Sequence, residues 1–428
     1  MNRGLEFEVD WEIEQGEVET EAVTFASLGI ETREGRLTRV EDLLSQTTRK
    51  VIRVSAYPLA VWLSSNWWRL RWEGPGDGHD WEMSHNVAAA GSGYVWPDLE
   101  IVSSGDIIRL KSRESQESTV GSIAYLGNIE SHLPARDFVA AIDEFVETVI
   151  ARLVDTGHRE TPLRELWSLV KEERQDPDSS EYRKLEALLG FDAEEGPSDR
   201  IERLIEAGRH LGSDAIAEVA ASDSEVVDWD ALEDQLQQSD RVTIGEFDAL
   251  RRLARQAAVG RYAWQRGESA ARQVRRAVGA SDGPIDDTML EDWLSLPGDI
   301  LQRHPTSDSS FAAGYREASD SSEMRILFRS SYHEGRRFEV ARLIGEHLVT
   351  APEADHMMPA TRAKTVRQST QRAFAAEFLL PLADLKDSVG DQPIDEDLIE
   401  EVAREFEVSP LMVSTRLLNK DIIDRQML

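Results

Sequence analysis

Three histidines, His333, His347 and His356, fall in a stretch that also holds Glu334, Glu346, Glu353 and Asp355, all side-chain types that bind divalent cations. Their spacing opposes a shared site. His347 and Glu346 are adjacent and point about 100° apart on a helix, while His356 lies beyond the helix in a loop marked by Pro352 and Pro359. A second pair has metal-site spacing without metal-site chemistry. Arg342 and Glu346 stand four apart in the segment RRFEVARLIGEHL, Arg336 to Leu348. In an H-E-x-x-H helix that spacing lets two imidazoles grip one zinc ion while the intervening Glu activates the bound water. A guanidinium stays protonated and ligates nothing, and Leu343 takes no proton from water. Opposite charges at this spacing contribute only about 0.2–0.5 kcal/mol on an exposed helix, so any structural value depends on burial and geometry.

The helix that carries the pair also carries an apolar stripe, Phe338, Ala341, Gly345 and Leu348. Ala341 and Gly345 are small enough to admit a second helix closely. The run FAAEFLLP, Phe374 to Pro381, supplies a matching face in Phe374, Phe378 and Leu379. The two segments resemble the core of the ImmA/IrrE metallo-endopeptidases, whose active helix reads roughly R-F-x-x-A-H-E-x-G-H and whose next helix carries F-A-A-E-L-L-x-P. Aligned on Arg337, Phe338, Ala341 and Gly345, the resemblance places the two metal-binding His positions at Arg342 and Glu346 and the catalytic Glu position at Leu343. It also implies an acidic third ligand shortly before the F-A-A-E run. From Pro359 to Ala373 there is no Asp or Glu, and the nearest candidates are Gln368, Ser369, Thr370 and Gln371. Arg342, Leu343, Glu346, Gln368 and Thr370 are therefore vestigial active-site positions, with no catalytic residue, no metal ligand and no zinc or other cofactor expected. An Arg342–Glu346 ion pair is expected in the former zinc cavity.

Composition bounds the rest. The 428 residues suffice for two to four domains with substantial cores. Asp and Glu number 81 against 48 Lys and Arg, a formal charge of −33, which disfavours wholesale attraction to nucleic acid or anionic membrane. Only seven of those basic residues are Lys. An acidic, Lys-poor surface fits salt adaptation, and a GC-rich genome produces the same bias. The chain has no Cys, hence no disulfide, thiolate zinc site or Cys nucleophile. The acidic opening MNRGLEFEVDWEIEQGE and the absence of a long uncharged apolar run imply a soluble, cytoplasmic protein.

Three textures divide the chain into expected domains at 1–133, 134–284 and 285–428. Residues to about 130 are rich in strand signals: alternation in Leu5–Trp11, the run Val51–Val54, and a hairpin turning at Gly105-Asp106. Six of the 11 Trp lie between Trp62 and Trp96 among Gly-rich turns, a pattern read as a β-domain core, since neighbouring carboxylates would repel phosphate from a stacking platform. His79 and His85 read as ordinary polar residues. From Leu133 the pattern becomes helical, with Phe138, Ile142, Phe145, Val149 and Leu153 on one face, then helices near 162–173, 180–189, 199–211, 229–238 and 244–257. The fold class is α+β: a Trp-rich mainly-β N-terminal domain, a helical middle domain, and, by resemblance, a mostly helical zincin-like C-terminal domain with a small sheet.

One segment departs from the acidic background. Between Arg251 and Arg276 lie eight Arg against the single acid Glu268, with Tyr262 and Trp264 inside. Arg251, Arg252, Arg255, Arg272, Arg275 and Arg276 are candidate contacts for an acidic protein partner, with nucleic acid disfavoured and internal pairing with acidic helices such as Asp228–Asp240 the alternative. The terminal run FEVSPLMVSTRLLN mimics a helix-turn-helix but offers only Arg416 and Lys420 as cations, so it is expected to pack within its domain. Three functions follow. The resemblance implies a non-catalytic relative with a regulatory or defence-linked role, tied to stress responses or mobile elements, that binds a protein or small-molecule partner through a zinc-less cleft. The alternatives are a metallopeptidase or hydrolase with displaced ligands, and an interaction scaffold working through the Trp-rich or Arg-rich regions.

Overall fold

The computed structural model describes residues 4–12, 18–116, 123–222, 227–243, 248–294, 300–302, 309–317, 323–349, 356–390 and 392–424. The chain divides into two compact units, Met1–Arg203 and Leu204–Leu428. The helices of residues 134–284 are thus shared between them.

In the first unit, Leu5–Trp11 alternates exposed Glu and Asp with inward apolar residues and pairs antiparallel with Phe25–Thr32, whose other edge takes Ile52–Ser55. A separate antiparallel sheet contains the expected hairpin, Asp98–Ser103 against Ile107–Arg113, continued by Ile129–Pro134. Gly105 turns it at φ 90°, a conformation glycine adopts without a Cβ clash. Helix Ala135–Asp155 buries the five expected apolar residues, and Phe145 stacks on Phe7 of the first strand with ring centroids 4.5 Å apart.

The Trp-rich stretch differs from its sequence reading. It is helical, forming Ala56–Ser65, Trp67–Trp72 and His79–His85. Ala56, Leu59, Ala60 and Leu63 recur at helical spacing and are buried, and the Ser55 hydroxyl caps the first of these helices by accepting from Tyr57 N. Trp62, Trp67, Trp68, Trp81 and Trp96 are all buried, with the Trp62 indole donating to Met83 O at 2.9 Å and the Trp96 indole to Gly91 O at 2.9 Å. These rings are core pegs. His79 is exposed, whereas His85 is fully buried between Ile101 O at 2.8 Å and Glu73 Oε2 at 2.9 Å.

The second unit is built on an antiparallel four-stranded sheet in the order Asp240–Thr243, Glu323–Leu327, Ala312–Tyr315, Met357–Ala360. Helices His333–Val349 and Val366–Leu379 pack together in its core, the second also lying along the Arg-rich helix Ala263–Ala277. Close approach depends on two glycines. A Cβ on Gly345 would sit 2.6 Å from the Phe374 ring, and one on Gly267 would sit 2.8 Å from Phe374 N. The α+β class stands: strands concentrate toward the N-terminal end, and helices dominate the remainder. Among the described residues, no helix is long and apolar enough to cross a membrane.

Candidate functional site

Helix His333–Val349 is nearly all buried from Arg336 to Leu348, polar residues included. Arg337, from the R-F pair of the motif, anchors its start: Nε donates to Glu407 O at 3.0 Å and the guanidinium also bonds Ile285 O and the Asp287 carboxylate. His333 Nε2 lies 2.7 Å from Asp287 Oδ2. Burial pushes the Asp287 carboxyl up, but His333 and Arg337 outweigh it and hold the group below the ordinary Asp range. At the centre, Leu343 and Ala341 are fully buried in the apolar core, and Gly345 faces Phe374 of the second helix.

Arg342 and Glu346 do not touch. The Arg342 guanidinium donates to Thr361 O (2.8 Å), Gln368 Oε1 (2.5 Å), Gln371 Oε1 (3.2 Å) and Ala360 O (3.3 Å). Glu346, only 2% exposed, accepts from Arg367 Nε at 2.6 Å and from Gln371 Nε2 at 2.9 Å. The Gln371 carboxamide therefore stands between the two charges, its oxygen toward the cation and its nitrogen toward the anion. The expected direct pair is replaced by a network because both side chains reach across to the facing helix. Burial, reinforced by the neighbouring Arg372, pulls the Arg342 guanidinium down to about 9.

Gln368 completes the arrangement. Its nitrogen donates to Pro359 O at 2.9 Å and its oxygen accepts from Thr361 N at 2.9 Å. One side-chain amide thus pairs with the carbonyl and amide flanking Ala360, as a residue of an added parallel strand would. Met357–Ala360 is the outermost strand of its sheet, so Gln368 closes part of an open edge. Thr370 turns away, donating to Val366 O at 2.8 Å. Arg367 and Gln371 were the residues whose roles the motif comparison missed. They sit four apart on the facing helix, the same spacing as Arg342 and Glu346. Helix Ser213–Ala220 adds Glu218, whose Oε2 accepts from Thr365 Oγ1 at 2.6 Å. Burial raises its carboxyl above the ordinary range, against the pull of Arg367.

The histidines do not converge. His356 Nδ1 lies 3.0 Å from Arg316 O, His333 serves Asp287, and burial with Arg251, Arg316 and Arg255 nearby pushes His347 down to about 3. Among the described residues, no three His, Asp or Glu side chains are grouped to hold a metal ion. Glu353 and Asp355 lie outside the described residues.

The Arg-rich segment forms two helices, Asp248–Ala257 and Ala263–Ala277. Arg252, Arg255 and Arg276 are exposed and Arg251 is half-buried. Arg275 is 1% exposed and donates to Phe378 O at 2.6 Å and Gly283 O at 2.5 Å. Arg272 meets Glu377, the acid of the F-A-A-E run, at 3.1 Å. Glu377 also receives Arg416, while Lys420 pairs with Glu268 at 2.7 Å and lies 4.1 Å over the Trp264 ring. Arg416 and Lys420 are thereby engaged within the unit through Glu377 and Glu268, Arg272 through Glu377, and Arg275 through backbone carbonyls.

In the second unit the motif helix thus crosses a second helix through Gly345, with a small antiparallel sheet alongside. Residues 319–418 match the family model described as the IrrE N-terminal-like domain, Peptidase_M78, under a quarter of the chain. No curated protein and no solved structure matches.

Proposed function

We propose that the second unit is a non-catalytic relative of the IrrE-type peptidases that acts by binding, without zinc, in a regulatory or defence-linked role. The observation that carries this reading is the Gln371 bridge: the positions corresponding to the metal ligands hold a guanidinium and a carboxylate joined by a carboxamide and closed by Arg367. Glu346 is committed to Arg367 and Gln371, and Leu343 is apolar, so neither is placed to activate water. The binding partner is proposed to be a protein or small molecule, and the expressed protein is proposed to be cytoplasmic. The test is digestion of unfolded substrate proteins by the purified chain with added zinc, read by mass spectrometry. No chelator-sensitive fragments are expected. Fragments that vanish on adding a chelator would overturn the proposal in favour of a displaced metallopeptidase.

A further inference from the structure

We propose that Arg342 and Arg372 form a receptor for an oxyanion, the carboxylate or phosphate group of a small ligand. This rests on the reading that Arg342 stands where a metal ligand would. Both guanidiniums converge on one carbonyl, Thr361 O, Arg342 Nη2 at 2.8 Å and Arg372 Nη1 at 3.5 Å. Among the described residues, neither has a carboxylate at ion-pair distance. Arg342 is surrounded by carbonyl and carboxamide oxygens, and the remaining acceptor of Arg372 is Ser369 Oγ at 3.4 Å. A buried cation ordinarily has a counter-charge in contact; here Glu339 and Glu346 act on Arg342, and Glu218 on Arg372, only through space, while the two guanidiniums repel each other.

A second observation points to a ligand. The Arg342 side chain is more than nine-tenths buried, yet its Nε–H has no acceptor and its Nη1 has one long contact. Buried donors in native proteins are nearly always paired, with protein, ordered water or a bound ion. The carboxylates nearby are committed elsewhere. Glu346 holds Arg367 and Gln371; Glu339 accepts the backbone N–H of Arg329 and Ser330 at 3.1 Å and lies 3.4 Å from Arg329 Nε; Glu218 accepts from Thr365. Burial raises both Glu339 and Glu218 above the ordinary range, which weakens the negative charge they supply. Arg372 is only half-buried, so an anion can approach from its side. Planar guanidinium forks match carboxylate and phosphate oxygens, and in a chain of charge −33 only such a local surplus of cations would attract either.

The experiment is isothermal titration of the full chain with inorganic phosphate and, separately, with acetate, in KCl matched for ionic strength. One saturable site per chain is expected. Phosphate binding alone identifies a phosphate ligand and acetate binding alone a carboxylate ligand. Arg372→Gln should weaken binding by about tenfold or more, the loss of one charge-assisted pair, whereas Arg136→Gln, on an exposed side chain, should not. Because Arg342→Gln risks misfolding, the second readout is the anion-dependent rise in melting temperature of the unaltered chain, absent in Arg372→Gln. No saturable site for either anion, or unchanged affinity in Arg372→Gln, overturns the receptor. Zinc in the purified protein would instead overturn the proposed function, so the two failures are distinguishable.

Discussion

Replacing Arg367 with Ala tests whether the network is structural. The change leaves Glu346, 2% exposed, with only the Gln371 Nε2 bond at 2.9 Å where it now also has Arg367 at 2.6 Å. Breaking a buried pair by removing one partner costs about 3–5 kcal/mol, because the remaining charge stays desolvated. Adding Glu346→Leu removes that charge, so the double variant should lose less than the single one, about 2 kcal/mol or under. A matching cycle on Arg342 and Glu346, which share no direct hydrogen bond and meet through Gln371, should give a coupling below about 1 kcal/mol, against about 1.5–3 kcal/mol for Glu346 with Arg367. Urea unfolding followed by circular dichroism and Trp fluorescence reads both cycles. The reasoning fails if Arg367→Ala costs under about 0.5 kcal/mol, the range of exposed pairs, or if the Arg342–Glu346 coupling is the larger.

Other consequences are independent of this network. His347 titrates at about 3 in the fold against 6.5 unfolded, so the unfolded chain binds more protons between those values and stability falls as pH drops through that window; His347→Gln should flatten the loss by up to a few kcal/mol in acid unfolding curves. Gly345→Ala should lower stability by about 1–3 kcal/mol, because its Cβ meets the Phe374 ring, and Phe374→Leu should recover part of the loss in the double variant. Glu377→Ala should cost about 3–5 kcal/mol, as read by thermal unfolding, by leaving Arg416, 5% exposed, with only the longer Glu268 contact at 3.8 Å and by freeing Arg272. If the charge of −33 is an adaptation to salt, the melting temperature should climb from about 0.1 to 2 M KCl, and a flat profile would reject that reading.

Much of the second unit was legible because its signals are short-range or depend on residue size. The glycine at 345 and the phenylalanines at 374 and 378 imply a close helix pair, and the structure has one. The hairpin at Gly105 and the helix after Pro134 were readable from alternation and from helical spacing in the same way. The Trp-rich helices were not, because bulky residues beside Gly74, Gly76 and Gly91 imitate strands and turns. Pairing at the site was misread for another reason. Spacing along one helix brings Arg342 near Glu346, but buried side chains choose among all neighbours, and Gln371 and Arg367 lay on a different helix. Polar residues at 367, 368 and 371 ahead of an apolar Phe374–Leu379 run were the available sign that this helix presents a polar face to the first.

Elemental analysis of the full chain, purified without chelator and then incubated with excess zinc and desalted, tests the central claim most directly. The account predicts well under one zinc per chain, unchanged by His347→Gln, because Arg342 ligates no metal and Glu346 is held by Arg367 and Gln371. One tightly held zinc per chain, lost on changing Glu346 or a nearby histidine, would contradict it.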